Sequence, residues 1–247
     1  MSQVSPPVSP PVVLLPARPR VRLLVSVRDA AEARWALRAG ADLIDAKDPE
    51  RGALGALAPD TVRAIVATVA GQAVTSAVAG DGTGADLPQA VAAMAAVGPD
   101  WIKVAVGPAP DDAALAEAAA AAPGRLIGVL FAEDGSSGGD LPARLATAGF
   151  SGAMIDTRGK QGVGLRACLA LPLLSAFVAA CRSHGLMSGL AGSLHRADIP
   201  TLAPLQPDYL GFRGGLCHGG DRRQPLDEAR IAGAVAALRA QARADAA

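Results

Sequence analysis

Three short stretches of the chain set primary amines among apolar residues, two of them with a carboxylate close by: Leu43-Ile44-Asp45-Ala46-Lys47-Asp48-Pro49, Trp101-Ile102-Lys103-Val104 and Met154-Ile155-Asp156-Thr157-Arg158-Gly159-Lys160. In extended backbone successive side chains alternate between faces, so Asp45 and Lys47, two apart, leave the same one. Lys103 sits inside an apolar run, where an unpaired ammonium would be costly. Of the 23 basic residues in the chain twenty are arginine, and Lys47, Lys103 and Lys160 are the only lysines. Arginine stays protonated and cannot serve as an amine nucleophile, whereas burial or a neighbouring positive charge lowers the pKa of a lysine. Only the lysine amine can condense with a carbonyl to form an imine. Clustered amines disfavour each other's charge, which frees one as nucleophile and leaves another to carry protons. Asp45 and Asp156 can orient an amine and exchange protons with substrate hydroxyls. A single lysine–aspartate pair at a strand end is most simply an ordinary ion pair. The fact that all three lysines follow or lie within strand-like runs points instead to one catalytic set.

The elements that would carry these residues are eight short runs rich in Val, Ile and Leu: Leu23 to Val27, Leu43 to Ala46, Ala73 to Ala77, Trp101 to Val106, Leu126 to Phe131, Ala153 to Ile155, Met187 to Ala191 and Tyr209 to Phe212. Between them lie segments with helical spacing of apolar residues, such as Ala30 to Ala39, Pro59 to Val69, Leu87 to Ala96, Asp111 to Ala122 and Pro172 to His184. Eight alternations of strand and helix predict an α/β fold, a single-domain (β/α)8 TIM barrel over 21–247. An open doubly wound sheet has the same periodicity. Closure is favoured because no Gly-x-Gly-x-x-Gly opens the first helix, and because polar residues follow at least five strands, whose ends meet only in a barrel.

Phosphate would need its own place. Ala191-Gly192-Ser193 follows the seventh run and Gly211-Phe212-Arg213-Gly214-Gly215 the eighth, where barrels commonly hold phosphate. Small residues let backbone N–H groups approach an anion. Gly192, Ser193, Arg213, Gly214 and Gly215 are therefore the expected phosphate ligands, with side-chain contacts from Ser193 and Arg213, and Ser76 is expected to touch the ligand near the end of the third strand. Gly80-Asp81-Gly82-Thr83-Gly84 reads as a mobile loop after that strand.

Composition narrows the function further. The chain has 247 residues and balances 23 basic against 23 acidic side chains, so no net field draws it to nucleic acid or an anionic membrane. Cys168, Cys181 and Cys217 are an odd number without paired spacing, which argues against a disulfide framework or zinc ribbon and suits a reducing cytoplasm. His184, His195 and His218 lack ligand spacing, so neither a metal nor another cofactor is expected. Pro6, Pro7, Pro10, Pro11, Pro16 and Pro19 rule out a continuous helix at the start, and 1–20 reads as a disordered proline-rich arm without the features of a signal peptide. A homo-oligomer without membrane or nucleic-acid partners is expected.

On these residues the chain resembles the (5-formylfuran-3-yl)methyl phosphate synthases, also called 4-(hydroxymethyl)-2-furancarboxaldehyde-phosphate synthases. The matching stretches are 44–49 with 52–56, 102–104, 154–157 with Lys160, 190–193 and 211–222, and the likeness runs from about Val21 to the final helix. The resemblance implies a barrel enzyme that joins two molecules of glyceraldehyde 3-phosphate, with loss of phosphate and water, into a phosphorylated furan aldehyde used for methanofuran or a related one-carbon carrier. It implies Lys47 as the Schiff-base lysine and Lys103 as the proton acceptor, completed by Asp45, Asp156 and Lys160. Family members often carry Lys where this chain has His218. The alternative reading is a class I aldolase or transaldolase-like Schiff-base enzyme acting on triose phosphates. A phosphate-sensing barrel without catalysis is a third.

Overall fold

The computed structural model describes residues 20–80, 86–135, 139–158 and 163–244. The proline-rich arm, most of the glycine tract after the third strand and Lys160 lie outside these residues. Eight strands run in order: β1 (Arg22–Val27), β2 (Leu43–Ala46), β3 (Val74–Val78), β4 (Trp101–Ala105), β5 (Leu126–Phe131), β6 (Gly152–Asp156), β7 (Met187–Leu190) and β8 (Tyr209–Phe212). Every neighbouring pair is parallel, and β8 pairs with β1 to close the barrel. Helices α1 (Ala30–Arg38), α2 (Pro59–Val69), α3 (Leu87–Ala95), α4 (Asp112–Ala121), α5 (Leu141–Ala148), α6 (Leu165–Cys168), α7 (Leu171–Ser183), α8 (Ile199–Leu202) and α9 (Glu228–Ala244) surround it. The predicted ranges of β2, β5 and β8 coincide with the observed ones, β1, β4 and β7 differ by one residue at one end, and β3 and β6 by one residue at both ends.

Strands buried on both faces need apolar residues at nearly every position, which is why these runs do not alternate. Outward side chains such as Leu23, Val25, Ile44, Ile102 and Val104 pack beneath the helices, while Leu24, Leu43, Trp101, Ile127, Val129, Met154 and Tyr209 fill the barrel interior. Burying one such aliphatic side chain contributes roughly 1.5–3 kcal/mol. Helices α2, α3, α5, α7 and α8 each carry proline in the first turn, where its fixed φ suits the helix and its missing N–H costs nothing. Tyr209 lies across the middle of the interior, and β7 makes room for it: a Cβ on Gly189 would stand 2.2 Å from the tyrosine Cζ.

At the N-terminal ends of the strands lies a polar floor. Asp42, just before β2, accepts a hydrogen bond from the Leu23 amide at 2.9 Å. Asp100, before β4, accepts from the amide and hydroxyl of Thr75 at 2.7 and 2.8 Å, and Asp208, before β8, accepts from the amide and hydroxyl of Ser188 at 2.7 and 3.0 Å. Each aspartate therefore pins the start of the preceding strand. Arginines accompany them: Arg20 pairs with Asp42 at 2.7 Å, Arg22 donates to the Asp208 carbonyl at 3.2 Å, and Arg125 donates to the Asp100 carbonyl at 3.4 Å.

Candidate active site

At the opposite end of the barrel, Asp45 projects inward from β2, with Ser26 of β1 and Ser76 of β3 as its register partners on either side. Both hydroxyls donate to it, Ser76 to Oδ1 at 2.6 Å and Ser26 to Oδ2 at 3.0 Å. From β4, Lys103 brings its Nζ to 2.9 Å from Asp45 Oδ1, with both side chains almost wholly buried. Burial alone would raise the Asp45 pKa, but Lys103, Lys47 and the Ser76 hydrogen bond outweigh it and hold the carboxyl below its usual range. Burial pushes the Lys103 amine below the ordinary lysine value, Lys47 adds to that shift, and Asp45 and Asp156 oppose it. The pair thus combines a firmly ionised carboxylate with an amine that gives up its proton more readily than a free lysine.

One step nearer the mouth, Lys47 follows β2 and reaches across to Asp156 at the end of β6, Nζ to Oδ2 at 3.4 Å. The other Asp156 oxygen accepts from the Thr157 amide at 2.7 Å, which fixes the carboxylate's direction. Lys47, Lys103, Asp45 and Asp156 all line one cavity of about 300 Å³. The structure therefore brings together four of the five residues expected to be catalytic. Lys160, the fifth, lies outside the described residues. Ser26 was missed by the sequence reading, although a lone hydroxyl in the apolar run Leu23–Val27 was the available signal.

The glycine turns border the same cavity, with Gly192, Ser193, Gly214 and Gly215 on its wall. Gly192 has φ +114° and Ser193 φ +50°, and a Cβ on Gly192 would come within 2.7 Å of Thr157 Cγ2. Gly215 approaches the Leu194 carbonyl so closely that a Cβ there would be 2.3 Å from the oxygen. Glycine is required at both places, and among the described residues the amides of Gly192, Ser193, Gly214 and Gly215 have no hydrogen-bond acceptor. Two of the expected contact residues bond to protein groups. Ser76 donates to Asp45. All five N–H donors of Arg213 are engaged, with the Glu32 carboxylate and with the carbonyls of Ser26, Arg222 and Gln224. Arg213 thus lines the cavity while its charge is matched by Glu32, which is buried on α1. His218 is exposed and faces Asp227 at 3.5 Å. Among the described residues no three His, Cys, Asp or Glu side chains gather as metal ligands would, and no helix is long and apolar enough to cross a membrane.

Known proteins resemble the chain over most of its length. A family model described as 4-HFC-P synthase matches residues 23–235. A Methylorubrum extorquens protein with the provisional name (5-formylfuran-3-yl)methyl phosphate synthase is 72% identical over 228 residues, covering 92% of this chain and 96% of that protein. The (5-formylfuran-3-yl)methyl phosphate synthase of Methanopyrus kandleri is 36% identical, over 83% of this chain and 93% of its own length. Among solved structures, 3-hexulose-6-phosphate synthase from Salmonella typhimurium superposes with a TM-score of 0.64 at 16% identity, covering 90% of this chain and 100% of that one. Phosphoribosyl anthranilate isomerase from Thermus thermophilus gives 0.61 at 16% identity, over 89% and 99% of the two chains. These two likenesses concern the barrel alone.

Proposed function

The chain belongs to the 4-HFC-P synthase family, and from that premise we propose that it condenses two molecules of glyceraldehyde 3-phosphate into (5-formylfuran-3-yl)methyl phosphate through an imine on Lys47. The observation that carries this reading is the pair of facing lysine–aspartate contacts in one cavity, Lys103 to Asp45 at 2.9 Å and Lys47 to Asp156 at 3.4 Å. Arginine could make the same ion pairs, so the choice of lysine at both positions favours chemistry that needs a removable proton.

In this reading the Lys47 amine adds to the aldehyde carbon of one triose phosphate and water leaves, giving the imine. Protonated nitrogen makes the adjacent C–H acidic, and neutral Lys103, positioned by Asp45, takes that proton to leave an enamine. The enamine carbon attacks the aldehyde of the second triose phosphate, forming the new carbon–carbon bond. Departure of one phosphate, ring closure, dehydration and cleavage of the carbon–nitrogen bond to Lys47 complete the furan and return the free amine. The net balance is two triose phosphates in, and one furan phosphate, one phosphate and two waters out. Asp156, next to Lys47, exchanges protons with hydroxyls of the bound intermediate, and Lys160 is assigned to the same group of proton carriers. The cavity's small volume favours a compact substrate, and its glycine turns offer amides that have no acceptor among the described residues to the phosphate that stays on the product.

Product analysis tests the reading directly. Purified protein given glyceraldehyde 3-phosphate alone should generate an ultraviolet-absorbing furan together with inorganic phosphate. Borohydride added during turnover should attach a triose-derived mass to the peptide that contains Lys47. A reversible aldol product without furan would return the assignment to the aldolase class, and an adduct confined to Lys160 would exchange the roles of the two lysines.

A further inference from the structure

The arginine expected to hold phosphate is already occupied. Arg213 gives all five N–H donors to protein oxygens, so an anion in the cavity would have to break a buried ion pair to reach it. Nine residues further on, Arg222 lines the same cavity with most of its guanidinium uncommitted. One Nη2–H donates to the Gly52 carbonyl at 2.9 Å, and its Nε–H is buried with no hydrogen-bond acceptor among the described residues. Asp221, the adjacent carboxylate, is taken by Arg223 at 2.9 Å, so it does not neutralise Arg222. A desolvated, unpaired N–H is costly unless something supplies an acceptor.

We propose that Arg222 is the residue that recognises substrate phosphate and sets the enzyme's preference for phosphorylated over unphosphorylated aldehydes. The inference rests on the reading of the site as one for phosphorylated aldehydes. Three observations converge on it. The cavity wall also carries the amides of Gly192, Ser193, Gly214 and Gly215, which have no acceptor among the described residues, and Gly214 lies against Arg222. A planar guanidinium with free donors on one edge suits the bidentate geometry of a phosphate oxyanion, and such charge-assisted bonds are about twice as strong as neutral ones. The bond to Gly52 also ties the loop after β8 to the loop after β2, the strand that presents Lys47. An anion held by Arg222 is thereby held in register with the amine. Arg213 supports the arrangement from below: it fixes the Arg222 and Gln224 carbonyls and so shapes the loop on which Arg222 is carried.

The test uses the full-length enzyme with inorganic phosphate as a competing anion. Arg222→Met should raise the inhibition constant for inorganic phosphate and the KM for glyceraldehyde 3-phosphate together, by roughly 10- to 100-fold, the loss expected for a charge-assisted hydrogen bond. KM should rise more than kcat falls, and the preference for glyceraldehyde 3-phosphate over unphosphorylated glyceraldehyde should collapse. Arg222→Lys should lie between wild type and Arg222→Met, and added methylguanidinium should restore phosphate inhibition to Arg222→Ala, a rescue that a purely structural loop tether would not give. Phosphate inhibition of Arg222→Met equal to that of wild type would overturn the proposal. A wild-type enzyme that makes no furan and traps no aldehyde would remove the underlying reading instead, so the two failures are distinct.

Discussion

The two ends of this barrel are built from similar charges used in different ways. At the floor, Asp42, Asp100 and Asp208 point at backbone amides, and the cations beside them are Arg20, Arg125 and Arg22. At the mouth, Asp45 and Asp156 point at Lys103 and Lys47. A backbone amide cannot change its charge and an arginine in effect does not, so the floor is electrostatically frozen. The mouth pairs its carboxylates with lysine amines, whose charge can change, and hydrogen bonds from Ser26, Ser76 and the Thr157 amide orient the carboxylates. On the proposed mechanism the contrast accounts for lysine at these positions in a chain so rich in arginine: permanent charge serves as a staple, and a removable proton serves chemistry.

Exchanging the two cations is the hardest test of that contrast, and it should give the largest effect. Lys47→Arg and Lys103→Arg keep a positive charge opposite Asp156 and Asp45 but remove the free amine. Furan formation should fall by about 10³-fold or more in each, and borohydride should trap no triose on the Lys47→Arg protein. The reciprocal change at the floor, Arg20→Lys, should leave turnover within about twofold and lower stability by about 1–3 kcal/mol, because lysine keeps the charge but not the bidentate bonds to the part-buried Asp42. If Lys47→Arg retained turnover, charge alone would suffice at the mouth and the distinction between the two ends would disappear.

Asp45→Asn comes next. It keeps the shape and removes the charge that opposes the burial-driven lowering of the Lys103 pKa. Turnover should drop by about 10²-fold or more, because the proton acceptor loses the group that orients it. The pH profile carries a sign that an unspecific defect would not reproduce. Activity of the wild type should rise with pH as Lys103 loses its proton, along a limb that lies below the ordinary lysine value of 10.5. In Asp45→Asn that limb should move to still lower pH. Stability should move as well: the Asp45 carboxyl titrates below 3.8 in the folded protein, so its stabilising contribution is full above that value and is lost as pH falls through the folded-state pKa. Urea melts from pH 5 downward should therefore be steeper in acid for wild type than for Asp45→Asn.

The two ends were not equally legible in the sequence. Strand runs such as Leu126–Phe131 and Tyr209–Phe212 were readable to the residue, because each is a short, unbroken apolar or aromatic run that begins directly after a charged residue, Arg125 or Asp208. The two-residue period of a strand placed Asp45 and Lys47 on one face, but a shared face did not settle which groups pair. Asp45 contacts Lys103 on β4 and Lys47 contacts Asp156 on β6, so each carboxylate reaches across the barrel and not to its neighbour in sequence. Arg213 was misjudged for the same reason. Its partner Glu32 lies 181 positions away on α1, and no local pattern announces it. Helix α5, short and preceded by glycines, was not among the predicted helices, and Ser26 was overlooked because a single hydroxyl hardly perturbs an apolar run. The floor aspartates escaped attention because an acidic residue before a strand looks like any turn residue until the neighbouring strand's amide is placed beside it.

A smaller effect is expected from breaking one floor staple. Asp100→Ala removes the acceptor of the Thr75 amide and hydroxyl, and it should destabilise the fold by about 1–3 kcal/mol. KM and kcat for glyceraldehyde 3-phosphate should stay within about twofold of wild type, since β3 is pinned there at the end remote from the cavity. A selective loss of kcat without loss of stability would mean that floor and mouth are coupled through β3.

The smallest effect should come from the residue that separates the two ends. Tyr209 is wholly buried between floor and mouth, and the Lys103 Nζ lies 6.0 Å from its ring centroid. Its hydroxyl donates to the Met154 sulfur at 3.4 Å, a weak acceptor, and burial, with Asp45 and Asp208 adding to it, pushes the phenol pKa well above 10. A phenol so reluctant to ionise, and directed at a thioether, is a poor proton carrier. The ring, by contrast, is indispensable filling, because β7 gave up a side chain at Gly189 to admit it. Tyr209→Phe should therefore change kcat by less than about threefold and stability by less than about 1 kcal/mol, as read from steady-state rates and urea melts. A loss of turnover comparable to that of Lys103→Arg would instead make Tyr209 a proton relay to Lys103, and the frozen half of the barrel would have to be counted as part of the reacting one.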